Sequence, residues 1–317
     1  MHRIMAKSGI GFGILLLLVV LVIPVQGDRF VMHVVTLLFI NVILALALHI
    51  FFGVCGQITF GITAFYGIGA YGTALLQLYA GLDFFIALVV DLLGVAVIGL
   101  IVSVPLLRLR HWVLALGTFG FAMTVYSTFR SVGIDVMGGD NGFSVPKLML
   151  FGKAAGPIFY YYFIFLCMLL CFLVCERISA SRVGRAMKAI REEEVAAANT
   201  GINVTHYVRL AFLISSLIGG LAGGLYASWG GWISPEPFGL HGSLMPVVYV
   251  VAGGLGRSSG AIVGAVLFTL LPEFLFPLQH WVFLIYAAIF FLILRFMPAG
   301  VVGTILAWKS RFLQAPK

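Results

Sequence analysis

Long apolar runs separated by short polar stretches set the pattern of this 317-residue chain. A hydrocarbon core about 30 Å thick is crossed by roughly 20 apolar residues in a helix. Runs of that kind fall at about 9–26, 31–52, 59–80, 84–107, 111–130, 158–176, 207–228, 243–256, 260–276 and 280–298. They predict an all-α, polytopic membrane protein of about ten membrane-embedded helices, organised as one domain over 1–317. Two runs are irregular: 59–80 is rich in Gly and Thr, and 243–256 is short and ends in Gly253, Gly254 and Gly256. Either is expected to be broken or re-entrant, which a bilayer permits only where protein or a watery cavity covers the backbone.

Composition narrows the class further. Hydrophobic types make up 62% of the chain and charged types 9%, with a mean hydropathy of +1.13. Soluble domains carry about 25% charged residues, so a soluble enzyme or nucleic-acid binder is excluded, and nucleic acid is not an expected partner. The net charge of +8 then reads as cytoplasmic loops, where basic residues collect. Ten passes with both termini inside put fifteen Lys and Arg on the cytoplasmic side and four (Arg29, Arg130, Lys147 and Lys153) outside. In this parse the longest outer loop is 131–157 and the longest cytoplasmic loop is 177–206. The first run could be a signal peptide cleaved near Val25-Gln26-Gly27, but its long apolar core reads better as an uncleaved anchor.

The cytoplasmic loop carries the densest polar sequence. Strong helix formers over 182–200 predict one amphipathic helix, with Ser181 as N-cap and Gly201 as the left-handed C′ residue followed by apolar Ile202. Val183, Met187, Ile190 and Ala197 share one face, while Arg185, Lys188 and Arg191 step along another. Three consecutive glutamates, Glu192, Glu193 and Glu194, sit poorly against anionic lipid. The helix is therefore expected to dock a soluble partner rather than rest on headgroups.

Inside the expected spans, Asp91 is the one deep carboxylate. It is either a proton or cation relay or an Asp hydrogen-bonded to a neighbouring helix, and the absence of a basic partner in another span favours the second. Gly219, Gly220, Gly223 and Gly224 form two overlapping GxxxG pairs, and Gly256, Gly260 and Gly264 continue the same spacing. Such spacing lets helix backbones approach closely. Gly67 to Gly72 matches G-x-G-x-x-G, but without a preceding strand or a following acid it is not a dinucleotide site. Short glycine-interrupted segments at 53–72 and 253–264 in the two halves point to a transport path. Cys167, Cys171 and Cys175 lie on one helical face and read as soft packing residues rather than metal ligands.

Here the residues carry a resemblance. Gly184-Arg185-Ala186, Ala189-Ile190-Arg191-Glu192 and Glu194-Val195-Ala196-Ala197, ending at Gly201-Ile202-Asn203-Val204, resemble the coupling segment of permease subunits from ABC importers of the branched-chain amino acid class. Gly56-Gln57-Ile58-Thr59-Phe60-Gly61 with Ala64 to Tyr71 resembles the family's early glycine-rich segment. Gly138-Gly139-Asp140-Asn141-Gly142 resembles its external loop, and Gly253-Gly254-Leu255-Gly256 its late glycine-rich turn. The blocks keep their order over roughly 50 to 280. The chain departs from the pattern at Thr59 and Ile62-Thr63, where Ser and a His-Ala pair are expected.

The resemblance implies the membrane half of an ATP-driven importer in the bacterial cytoplasmic membrane. Implied partners are a second homologous permease, two cytoplasmic ATPase subunits and an extracytoplasmic binding protein, besides the lipid bilayer. It implies ATPase coupling by Gly184, Arg185, Ala186, Arg191, Glu193, Glu194, Ala196, Ala197 and Gly201. It implies a translocation path near Gly56, Gln57, Gly61, Gly67, Gly69, Gly253, Gly254 and Gly256, and binding-protein docking at Gly138, Gly139, Asp140, Asn141 and Gly142. Branched-chain amino acids are the expected cargo, with urea or short amides as the alternative. No catalytic residue, cofactor or metal of its own is expected. Independently, the chain lacks G-x-x-x-x-G-K-[ST], since Gly152-Lys153 is followed by Ala, so ATP would be hydrolysed by other subunits. An ion-coupled secondary transporter would rest on Asp91 alone, and a membrane enzyme on scattered histidines.

Overall fold

The computed structural model describes residues 28–109, 111–131, 134–150, 153–275 and 281–313. The expected first run at 9–26 lies outside the described residues. A helix lies over each of the expected runs from 31–52 onward: α1 (Arg29–Leu48), α2 (Ile62–Ala80), α3 (Phe84–Leu106), α4 (His111–Ser131), α5 (Pro157–Ala180), α8 (Val204–Gly230), α9 (Leu240–Gly253), α10 (Ser258–Phe274) and α11 (Val282–Phe296). Between α5 and α8 come α6 (Arg182–Glu192) and α7 (Glu194–Asn199), and α12 (Gly300–Leu313) follows α11.

Local chemistry accounts for many of the ends. Asp28 accepts from the Phe30 amide at 3.0 Å and caps α1, and Asn203 accepts from His206 at 3.1 Å and caps α8. Pro157 opens α5, where its missing N–H costs nothing. Gly81 and Gly231 close α2 and α8 at φ +63 and +65, the left-handed conformation that glycine adopts without steric cost. A π-helical turn at His49–Val54 extends α1, and the chain from Cys55 to Gly61 is non-helical.

Among the described residues, six helices are long and apolar enough to cross a membrane, or seven if a bent pair counts as one span. That pair is α9 and α10, which bend by 120° at 254–257. Its position agrees with the irregularity expected at 243–256. In the other irregular run, α2 itself is continuous and the break falls before it. At about 1.5 Å per residue, the 14 residues of α9 rise only about 21 Å, short of the hydrocarbon thickness.

The bundle is organised around α8, which packs on α2, α1 and α3. Gly223 lies against the Tyr66 carbonyl and the Ala70 amide, Gly219 against Ile62, and Gly220 and Gly224 against Val95 and Leu88 of α3. A Cβ on Gly69 would sit 2.6 Å from Gly220 Cα. The glycines of α2 and α8 therefore interlock backbone to backbone. Apolar side chains on α3, α5 and α11, such as Leu93, Leu170 and Phe291, remain exposed, as expected of faces turned to lipid.

Among the described residues, the all-α expectation holds apart from four two-residue strands. Phe143–Ser144 pairs antiparallel with Trp232–Ile233, and Met149–Leu150 with Lys153–Ala154. They lie in connections, where the backbone leaves helices and must find other partners.

The α2–α8 contact leads to a contrast between two glycines. Gly223→Val should lower stability by about 1–3 kcal/mol, the usual cost of overpacking, seen as a lower melting temperature in detergent. Gly94→Ala, on an exposed face of α3 with nothing within 4 Å of its Cβ, should melt at or slightly above the parent temperature. Equal melting of the two variants would contradict this packing.

A candidate coupling site at one end of the bundle

The segment between α5 and α8 was expected to be one helix over 182–200. The structure corrects this: Glu193 is extended at φ −159 and ψ 109 and splits it into α6 and α7. A single helix would carry the three glutamates through its interior. The break instead places Glu193 and Glu194 at the N-terminus of α7, where the helix dipole favours negative charge. Both caps follow the sequence. Ser181 Oγ accepts from the Gly184 amide at 3.2 Å. Gly201 has φ +87, its amide donates to Ala198, and the Ile202 amide donates back to Ala197 at 3.2 Å, the paired pattern of a Schellman ending.

Met187, Ile190 and Ala197 are buried, so the apolar face of α6 and α7 is turned onto the chain itself, with α6 lying on α5, α8 and the π-helical turn. Gly184 is buried too, and a Cβ there would meet the Ser179 carbonyl at 2.7 Å. The resemblance implied a coupling role for Gly184 and Ala197. In the structure Gly184 lies against the chain's own backbone and Ala197 is buried, because the apolar face points inward. Ala186 is half-buried. Val195, Ala196, Ala198 and Asn199 are exposed, as are Glu192 and Glu193, while Glu194 is half-buried.

The basic residues also turn homeward. Arg185 Nη1 donates to the Ala180 carbonyl at 3.2 Å, and Lys188 Nζ to that of Ser179 at 2.9 Å. Arg191 Nη1 donates to the carbonyls of Gly53 and, at 3.4 Å, of Leu255. These acceptors carry no sequence signal, since a backbone carbonyl is the same in every residue.

Two clefts open beside Arg191. One, of about 610 Å³, is lined by Gly56, Gln57, Trp112, Arg191, Glu193 and Val195, among others. The other, of about 380 Å³, is lined by Arg191, Gly254, Leu255, Gly256, Pro298 and Gly303, among others. Of the eight residues expected along a path, Gly56, Gln57, Gly254 and Gly256 therefore line these clefts. The remaining four pack between helices or turns. Gly61 lies on Thr118, Gly67 lies 2.7 Å from Phe129 Cε2 measured from its ideal Cβ, Gly69 meets Gly220, and Gly253 meets Gly260 and Gly264. Thr59 Oγ1 accepts from the Gly61 amide at 3.0 Å, and Thr63 Oγ1 donates to Gly242, so both departures from the family pattern serve turn and helix contacts.

At the other end of the bundle, Tyr71 stacks on Phe129 with ring centroids 4.0 Å apart, and Phe143 and Phe238 close around them edge-on. This aromatic cluster has no local sequence signature, because its members come from four distant stretches. Beside it, Gly138, Gly139 and Gly142 all have positive φ, and Gly139 to Asn141 form a 3₁₀ turn. Arg130 holds Asp140 by two hydrogen bonds, one of them Nη2 to Oδ2 at 2.6 Å. The hydrogen bond from Arg130 pulls the Asp140 carboxyl below its ordinary range. Asp91 accepts from Thr73 at 3.1 Å and lies against Gly72, so its partner is a hydroxyl on α2, the hydrogen-bonded reading.

The sequence profile of the family described as branched-chain amino acid transport system / permease component matches residues 30–296. The chain belongs to this family. It is 31% identical over 315 residues to the high-affinity branched-chain amino acid transport system permease protein LivM of Escherichia coli K12, covering 92% of this chain and 74% of that protein. It is 32% identical to the LivM of Salmonella typhimurium, covering 90% and 73%. LivH of Escherichia coli K12 aligns over 125 residues at 28% identity, covering 39% and 40%. No solved structure matches the chain. The family and the apolar helices together make this a multi-pass membrane permease.

The Arg130–Asp140 pair has a pH consequence with a definite sign. A carboxyl held below its ordinary value contributes its full stabilisation above the ordinary carboxylate range, and loses it as pH falls through the depressed value. The protection of the amides over 138–145, taken relative to the intrinsic exchange rate at each pH, should therefore be high at pH 7 and fall on acidification toward pH 3. Asp140→Asn should already show at pH 7 the low protection that the parent shows in acid. An exchange pattern in the variant identical to the parent at both pH values would show that the pair does not hold the loop.

Proposed function

We propose that the chain is the membrane half of an ATP-driven importer that carries branched-chain, aliphatic amino acids across the bacterial cytoplasmic membrane. It pairs with a second, homologous permease, takes cargo from an extracytoplasmic binding protein, and is driven by two ATPase subunits that bind the ATP. Both termini face the cytoplasm in a ten-pass arrangement. A hairpin of two short passes and a re-entrant loop at α9–α10 both return the chain to the side it left, so either leaves the basic-residue asymmetry intact.

The observation that carries the reading is the α6–Glu193–α7 elbow. Its apolar face is buried on the bundle, while Val195, 65% exposed, Ala196, Ala198 and the carboxylates of Glu192 and Glu193 face outward. A small-residue knob with an acidic rim suits a groove on a soluble partner, and the charges fix its register more than its affinity. Relatives named as LivM and LivH support a pair of unlike permeases. The Gly138–Gly142 turn, pinned at the opposite end of the bundle by Arg130, suits the receipt of a binding protein.

Two outcomes test this. A cysteine introduced beside Lys309 should be labelled only from the cytoplasmic side, and labelling from outside would sink the arrangement. Val195→Asp should leave the protein inserted, while co-purification of the ATPases and amino acid uptake each fall by roughly tenfold or more. That is the scale of losing one well-packed interface residue, about 1–2 kcal/mol. Stoichiometric ATPases on the Val195→Asp protein would remove the docking assignment.

A further inference from the structure

We propose that Arg191 is a positioning residue that ties α6 to both chain breaks at this end of the bundle, so that a movement of α6 is delivered to the two breaks together. This rests on α6 and α7 being the ATPase-docking element, and it adds the route by which docking reaches the membrane segments.

Two carbonyls at this end lie where helices stop. Helix ends leave their last carbonyls without an intrahelical donor. Gly53 lies at the end of the π-helical turn, and Leu255 lies just past the end of α9. One guanidinium reaches both, through Nη1. Guanidinium suits this task, because it keeps its charge and presents several donors in a fixed plane.

The stem of the side chain is also placed. An ideal Cβ on Gly56 would lie 2.6 Å from Arg191 Cγ and 3.0 Å from its Cα. Gly56 has φ +79, so glycine at this point gives the chain its turn and leaves the arginine room to cross it. An ideal Cβ on Gly53 would lie 2.8 Å from Cε1 of the His49 ring in the same π-helical turn and 2.8 Å from the Leu255 carbonyl oxygen. The segment from Gly53 to Gly56 thus packs directly on Arg191 of α6 and on the Leu255 carbonyl.

The neighbouring cations behave differently. Arg185 and Lys188 bond to Ala180 and Ser179, at the C-terminal end of α5, which leads directly into α6. They secure the helix locally and join no distant segment. Arg191 alone among these three cations spans from α6 to 53–56 and 254–256. The clefts of about 610 and 380 Å³ flank it on either side, leaving both breaks space to shift.

The test uses the complete transporter, with its ATPases, second permease and binding protein, in lipid nanodiscs. The variants are Arg191→Ala, Arg191→Lys and Gly56→Ala, and spin labels on cysteines at positions 182 and 257 report the distance between α6 and the second break. In the parent that distance should change when a non-hydrolysable ATP analogue binds. In Arg191→Ala the ATPases should remain bound in full amount, while the distance stops responding and uptake per ATP falls roughly tenfold or more, the scale of a lost hydrogen bond to a charged group. Arg191→Lys keeps the charge but not the fork, and should recover part of the uptake and of the distance response. Gly56→Ala should resemble Arg191→Ala, because its Cβ pushes the stem aside.

Uptake and distance response at parental levels in Arg191→Ala would overturn the tie and leave docking standing. Release of the ATPases by Arg191→Ala would make the arginine a docking contact, which also overturns it. Failure of docking itself is read separately, from ATPases that stay on the Val195→Asp protein.

Discussion

The structure depends on the backbone contact between α2 and α8. Lipid offers no hydrophobic drive for one apolar helix to leave it for another, so association rests on close packing. Glycines supply it: Gly69 meets Gly220, and Gly223 meets Tyr66 and Ala70. With α2 and α8 locked, α1 and α3 close against α8, and the bent α9–α10 pair packs on α1. The unwound stretch at 55–61 is tolerable because this core shields its polar backbone from lipid.

The two ends of the bundle differ because their constraints differ. One end is closed by a stack of aromatic rings around Tyr71 and by strand pairing between Phe143–Ser144 and Trp232–Ile233. Rings that interlock at 4–6 Å centroid distances resist sliding. The other end adds, to the buried apolar face of α6 and α7, polar bonds from three cations to backbone carbonyls, with open clefts beside them.

Helix–helix packing also explains why glycine is so abundant and so uneven in role. Gly223 and Gly253 are buried against other backbones, Gly56 and Gly201 are held at positive φ, and Gly94 and Gly120 have no neighbour within 4 Å of a Cβ. Spacing alone would rank them together. Their surroundings separate close packing, turn formation and mere lipid exposure.

The sequence by itself determined the class, the succession of helices from 31–52 onward, the caps at Ser181 and Gly201, and the discontinuity after Gly253. These follow from local physics: apolar length, capping chemistry, and the tolerance of glycine for left-handed backbone. It also carried the motifs by which the family is recognised. Only the tertiary structure decided that Glu193 splits the expected helix, that Gly184 and Ala197 face inward, and that Gly67 and Gly69 pack between elements instead of lining a cleft. It alone joined Arg191 to Gly53 and Leu255. Those outcomes depend on which distant backbone comes to lie beside a residue. A carbonyl as acceptor, or a neighbouring glycine as space, leaves no mark in the sequence.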